Sequence, residues 1–136
     1  MEPAVRQALA ITRSSSAADR TVDITTTGRR SGQPRRIEIW FYRADGRNYL
    51  SGLPGKRSWS ANLKARPAFT FHLKHGVVAD LPARAVPVTD EDERRRIFTV
   101  LVDDLNQPHN PGRISRPTSV EAWLEGSPLF EIVFDA

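Results

Sequence analysis

The chain has 136 residues, no cysteine, and 20 basic against 16 acidic side chains, for a formal charge of +4. That length suits one modest core, and the missing cysteines exclude disulfides, thiolate metal sites and cysteine nucleophiles. No apolar run approaches the roughly 18 residues of a membrane span, and residues 1–20 lack a basic start followed by an apolar core, so the expectation is a soluble, cytoplasmic chain with no integral membrane segment.

Residues 1–20 read as an N-terminal extension with a short helical pattern from Glu2 to Arg13, broken by Ser14, Ser15 and Ser16. The stripe of Val5, Leu9 and Thr12 is too narrow for membrane insertion, leaving at most a peripheral contact. Residues 21–136 carry the main domain. Thr21 to Thr27 (TVDITTT) is rich in β-branched residues and reads as a strand, and Gly28 to Pro34 as a turn. Ile37 to Tyr42 (IEIWFY) is a second strand, and Asp45-Gly46 turns the chain into Tyr49 and Leu50. Phe41 is read as core. Trp40 and Tyr42 face the other way, toward a cavity or a partner subunit, or simply pack.

After the loop Ser51 to Arg57, Ser58 is placed as the N-cap of a helix that Pro67 ends. Ala68 to Leu73 and Val77 to Val88 alternate as two further strands, with Pro82 and Pro87 at edges or bulges. Thr89 is placed as the cap of the next helix, with Asp92 three residues on, and Ile97, Val100, Leu101 and Leu105 as its apolar face. Asn106 to Pro117 is a loop, Thr118 to Leu124 a short helix, and Leu129 to Phe134 (LFEIVF) the closing strand. About six strands with three or four short helices give an α+β fold with a mostly antiparallel sheet, whose edges a small barrel hides.

The turn between the first two strands is the most informative segment. Gly28-Arg29-Arg30-Ser31-Gly32-Gln33-Pro34-Arg35-Arg36 places four arginines, a serine and two glycines in nine positions. Glycines let a ligand approach the backbone, and guanidinium groups grip phosphate or carboxylate in pairs of bonds. The plainer reading is a solvated hairpin, because the glycines follow neither the dinucleotide nor the P-loop spacing.

The run TTTGRRSGQPR (Thr25 to Arg35), followed by a strand, a glycine-containing loop and W-x-x-N-L-x-A-x-P (Trp59, Asn62, Leu63, Ala65, Pro67), resembles the deazaflavin-dependent nitroreductases and F420H2-dependent quinone reductases. The likeness runs over roughly residues 20–135. It implies a split β-barrel of the flavin-binding kind that uses coenzyme F420, ahead of FMN, and that commonly forms a homodimer. It further implies that Arg30 and Arg35 hold the coenzyme's phosphate and acidic tail, with Ser31, Gly32 and Gln33 forming the turn beside that tail. Trp59 and Asn62 lie against the coenzyme, and Ser51, Gly52, Lys56 and Arg57 stand where the family usually has an S-K-G-G loop. On the substrate side the resemblance points to Trp40, Ile114, Val120 and Trp123, although this chain has no tyrosine after Tyr49 where nitroreductases of the family carry several.

The chemistry implied is hydride transfer from the deazaflavin to a small acceptor such as a quinone, a nitro compound or an activated alkene. The protein binds and orients, and no side chain acts as a catalytic nucleophile or base. A second reading keeps the barrel as a non-catalytic carrier of a lipid, fatty acid or flavin-like ligand. Nucleic acid is not expected as a partner, because the basic residues are spread along the chain without interleaved aromatics. No metal site is expected: His72 and His75, three apart on or near a strand, point to opposite faces.

Overall fold

The computed structural model describes residues 1–112 and 117–135. Its elements are α1 (Pro3–Leu9), α2 (Ala17–Arg20), β1 (Thr21–Thr27), β2 (Pro34–Ala44), β3 (Arg47–Ser51), α3 (Ser58–Ala65), β4 (Ala68–Leu73), β5 (Ala79–Pro87), α4 (Glu91–Leu105), α5 (Val120–Gly126) and β6 (Leu129–Phe134). The strands close into an antiparallel barrel in the order β1-β2-β3-β6-β5-β4. This is the α+β barrel expected from the strand pattern, and closure leaves no strand edge free to pair elsewhere.

Alternation along the strands decides what lies inside. In β1, Val22 and Ile24 are buried while Asp23 and Thr25 face outward. The register sets Thr21 opposite Trp40 and Thr27 opposite Pro34, so the arginine turn closes the β1–β2 hairpin. Inside the barrel, Phe71 meets Phe41 and Phe134 edge-on at centroid distances of 5.3 and 5.2 Å. Val5 and Leu9 of α1, and Trp59 and Leu63 of α3, join the same core cluster. A second cluster lies outside the barrel wall, where α4 and α5 cover Tyr42, Tyr49 and Leu129 with Ile97, Phe98, Leu101, Val102, Leu105 and Trp123.

Several boundaries differ from the sequence reading for local reasons. The helix expected to run to Arg13 stops at Leu9, with Ala10 as its C-cap, and the serine run instead starts α2: Ser16 Oγ accepts the N–H of Asp19, and the Asp19 carboxylate accepts the N–H of Ser16. The cap of α4 is Asp90, whose carboxylate accepts the N–H of Glu93, and not Thr89. Val100 is exposed, and Phe98 and Val102 complete the buried face in its place. The strand expected from Val77 begins at Ala79, after the turn at Gly76, and α5 starts two residues later than expected, with Ser119 as its cap.

One buried ion pair fixes the N-terminal segment. The Arg20 guanidinium, 1 % exposed, pairs with Asp104 of α4 at 2.5 Å and donates to the carbonyls of Thr12, Arg13 and Ser15. It also lies 5.5 Å from the centre of the Trp40 ring. Four acceptors and an aromatic face are what a fully buried guanidinium needs to offset its lost hydration.

Candidate functional site

The arginine turn is a compact, hydrogen-bonded loop. Gly28 N–H donates to the Gln33 carbonyl and Gly32 N–H to the Gly28 carbonyl, each at 2.8 Å, and Ser31 Oγ accepts the Gln33 N–H at 3.1 Å. A Cβ at Gly28 would sit 2.4 Å from Ser31 Oγ, and Gly32 has a φ of +69°. Gly32 thus takes a backbone conformation that favours glycine, and a side chain at Gly28 would force Ser31 Oγ out of its bond to the Gln33 N–H.

Against this turn stands the start of α3. Asn62, 5 % exposed, accepts the backbone N–H of Arg29 at 3.1 Å and donates to Thr26 Oγ1 at 3.2 Å. Ser58 is the first helical residue, and Arg57 holds the cap position with no side chain bonded to the helix end. This corrects the expectation that Ser58 is the N-cap. An uncapped start leaves N–H groups without intrahelical partners and a partial positive charge at the helix end, the setting in which anions bind.

Two clefts meet here. The first, about 400 Å³, is lined by Thr26, Gly28, Arg29, Arg30, Ser31, Arg35, Ile37, Ser58, Trp59 and Asn62. The second, about 480 Å³, shares Arg29 and Ser58 and adds Lys56, Arg57, Ser60, Lys64 and the Glu125–Pro128 connection. Neither Arg30 nor Arg35 has an acidic partner among the described residues. By contrast Arg36, also in the turn, faces outward and pairs with Asp23 at 3.0 Å. The Lys74 ammonium beside it holds Asp23 below the usual carboxylate range.

Five residues expected at the coenzyme, Arg30, Ser31, Arg35, Trp59 and Asn62, thus line one cleft, and Lys56 and Arg57 line its neighbour. Gly32 and Gln33 shape the turn without lining either. Ser51 is buried and its hydroxyl donates to the Pro128 carbonyl at 2.6 Å, so it braces the loop. Gly52 lies in that loop. Asn62 faces the cleft, but its oxygen is already bonded to the turn. Sequence reasoning missed the part played by Thr26, Ile37 and Lys64 as lining residues. For Thr26 and Ile37 the available signal was their register beside the turn.

On the substrate side, Trp40 lines a third, aromatic cleft. Trp123 does not reach it: its ring is wholly buried between Tyr42 and Phe98, and its indole N–H donates to Thr118 Oγ1 at 2.8 Å. It is a core residue of the outer cluster, which corrects its substrate-side placement. Val120 opens α5 and is half-buried, and Ile114 lies outside the described residues. His72 is buried in β4, with Nε2 2.7 Å from Thr25 Oγ1 and Nδ1 2.6 Å from Asp80. That bond lowers the Asp80 pKa. Among the described residues no helix is long and apolar enough to cross a membrane, and no group of three or more His, Asp or Glu is placed to hold a metal.

The strands form a closed six-stranded antiparallel barrel of the split-barrel kind, with a basic cleft between one hairpin turn and an uncapped helix start. The sequence model of the family described as F420H(2)-dependent quinone reductase matches residues 5–119, and the chain belongs to that family. It is an F420-dependent reductase, and its coenzyme is F420. Among solved structures, a conserved hypothetical protein from Mycobacterium tuberculosis superposes with a TM-score of 0.65 at 21 % identity, covering 100 % of this chain and 82 % of its own. An F420-H2 dependent reductase gives 0.54 at 20 % identity, covering 83 % and 93 %. A putative pyridoxamine 5'-phosphate oxidase from Listeria innocua gives 0.59 at 12 % identity, covering 86 % and 85 %. These likenesses share the fold.

The residues present fit such a coenzyme. The cleft offers unpaired guanidinium groups and a helix start to a phosphate and an acidic tail, and an apolar wall of Ile37 and Trp59 to a ring.

Proposed function

We propose that this chain reduces a small quinone, with Arg30 and Arg35 holding the phosphate and acidic tail of the coenzyme and Trp59 packing against it. The observation that carries this reading is the pair Arg30 and Arg35, both lining one cleft and neither neutralised by a described acid. Cationic groups left unpaired in a concave site favour an anionic ligand strongly, because the walls lower the local dielectric. Lys56, Arg57 and Lys64 extend the same field into the adjoining cleft, where Glu125 is the one acid in the lining.

Arg30, Arg35 and Trp59 would hold the coenzyme, whose reduced deazaflavin would supply a hydride; with one proton this would convert a quinone to its hydroquinone. The chain's own contribution is placement. Asn62 locks the turn to α3, so the arginines and the helix start present one preorganised surface. The aromatic cleft bordered by Trp40 favours a flat, uncharged acceptor.

The test is anaerobic: mix the protein with reduced F420 and menadione, and follow the absorbance of the oxidised deazaflavin as it returns. Protein-dependent oxidation that saturates in both reactants supports the reading. A rate no faster than that without protein overturns it.

A further inference from the structure

The outer face of the barrel, apart from the basic clefts, carries two adjacent rows of polar side chains. Register sets Asp23, His72 and Asp80 side by side on β1, β4 and β5, and Arg36, Thr25, Thr70 and Pro82 in the next row. His72 is 7 % exposed. Its Nε2 lies 2.7 Å from Thr25 Oγ1, and its Nδ1 lies 2.6 Å from Asp80 Oδ1. Asp23 faces His72 from β1 but is paired with Arg36 and Lys74.

Carboxylate, imidazole and hydroxyl in that order have one consistent arrangement of protons. The His72 hydrogen bond holds Asp80 below the usual carboxylate range, and the charge of Arg36 adds to this. Ionised Asp80 accepts Nδ1–H, so in the neutral imidazole Nε2 carries the lone pair and Thr25 Oγ1 donates to it. A histidine bonded only to fill its ring nitrogens needs no access from solvent. Here Thr25 is half-buried, and the Asp80 side chain is 72 % exposed. Beside Thr25, the Arg36 Nε–H donates to Asp23 at 3.0 Å, while its terminal guanidinium nitrogens bond to no described residue. They leave a cation free next to the hydroxyl.

We propose that Thr25, His72 and Asp80 form a second site, which transfers the acyl group of small activated esters to water. Thr25 Oγ1 attacks the ester carbonyl carbon while His72 Nε2 takes the hydroxyl proton. The negative charge that develops on the carbonyl oxygen falls beside the Arg36 guanidinium. The bond to the leaving oxygen then breaks, and His72 returns the proton to it, freeing the alcohol. A water, deprotonated by the same nitrogen, attacks the acyl-threonine, releases the carboxylic acid and restores the hydroxyl. Asp80 is the positioning residue that fixes the imidazole tautomer. The sheet face around Thr25 is open, so a long acyl chain has nothing to bury against and the substrates are short-chain esters. This activity is independent of the coenzyme.

The experiment mixes the full chain, without coenzyme, with p-nitrophenyl acetate near neutral pH and follows the nitrophenolate released. Acid-quenched samples are mapped by peptide mass spectrometry for the acetyl group. Wild type should carry the acetyl group on Thr25 and react about 100-fold faster than His72→Gln, the scale of a lost general base. Thr25→Val keeps the side-chain shape without the hydroxyl and should fall to the same background, whereas Thr25→Ser should retain the reaction. Asp80→Asn should lower the maximal rate and leave the half-saturating ester concentration unchanged, which a loss of packing alone would not do. Thermal unfolding shows which variants are folded, and the acetyl position in wild type needs no variant. Acetyl groups confined to lysines and the N-terminus overturn the proposal. So does a wild-type rate no faster than that without protein, or equal rates in wild type and folded Thr25→Val.

Discussion

Asn62 Oδ1 accepts the backbone N–H of Arg29 at 3.1 Å, across 33 positions of sequence. Through this bond the start of α3 and the arginine turn become one wall of the basic cleft. The partner bond, Asn62 Nδ2 to Thr26 Oγ1, is also buried. Replacing Asn62 with Ala leaves the Arg29 N–H without its acceptor and should cost about 1–2 kcal/mol of stability in urea denaturation. Coenzyme affinity should fall with it, because the turn is no longer fixed. Unchanged stability and affinity would show that the turn holds itself.

The buried pair Arg20–Asp104 carries a larger cost. Asp104→Asn removes the charge that balances a guanidinium 1 % exposed. A buried charge left unpaired typically costs about 3 kcal/mol or more. The loss should appear in chemical denaturation and as faster amide exchange around residues 12–20, where the carbonyls of Thr12, Arg13 and Ser15 bind the same Arg20. A change under about 0.5 kcal/mol, the range of ordinary surface substitutions, would contradict this account.

Trp123 separates a packing role from a substrate role. Its ring is fully buried against Tyr42 and Phe98. Trp123→Ala should cost about 3–5 kcal/mol, the range for a large aromatic removed from a core. Trp123→Phe should keep most of the stability and leave menadione affinity near that of wild type. A selective loss of quinone binding in the folded Phe variant would return Trp123 to the substrate side.

Alkaline titration tests the burial of Tyr42. Its phenol titrates near 10 when unfolded and about 12 when folded. A raised folded pKa means the folded chain binds more protons between those values, so stability is full below pH 10 and falls as pH rises toward 12. The loss is on the order of 2 kcal/mol. Stability measured from pH 9 to 12 should decline more steeply in wild type than in Tyr42→Phe. Parallel curves would show that the Tyr42 hydroxyl is solvated.

Part of the barrel was legible from local pattern: TVDITTT alternates and gives its inward face directly, and GRRSGQP reads as a turn. In β3 and β6 the pattern is blurred, because α4 and α5 bury Tyr49 and Leu129 on the outer face as well. Helix starts were less legible, since Thr89 and Asp90, or Ser58 and Arg57, are adjacent candidates that only backbone geometry separates. The serine run was ambiguous in the same way: it reads as a helix stop, yet α1 already ends at Leu9 and Ser16 caps α2 through Asp19. Trp123 misled because sequence order places it in the region of family tyrosines, whereas α5 turns it onto α4. The contact of Thr25 and Asp80 with His72 depends on cross-strand register, which no local pattern records.

The most direct test of the central claim, an acidic deazaflavin held by Arg30 and Arg35, is a binding titration of oxidised F420 followed by its fluorescence. Wild type should bind saturably in the micromolar range, and the double variant Arg30→Ala, Arg35→Ala should show no binding at about 100 µM, with its thermal unfolding unchanged. Affinity should also weaken as salt rises, as an ion-pair site requires. Equal affinity in wild type and the folded double variant would contradict the account.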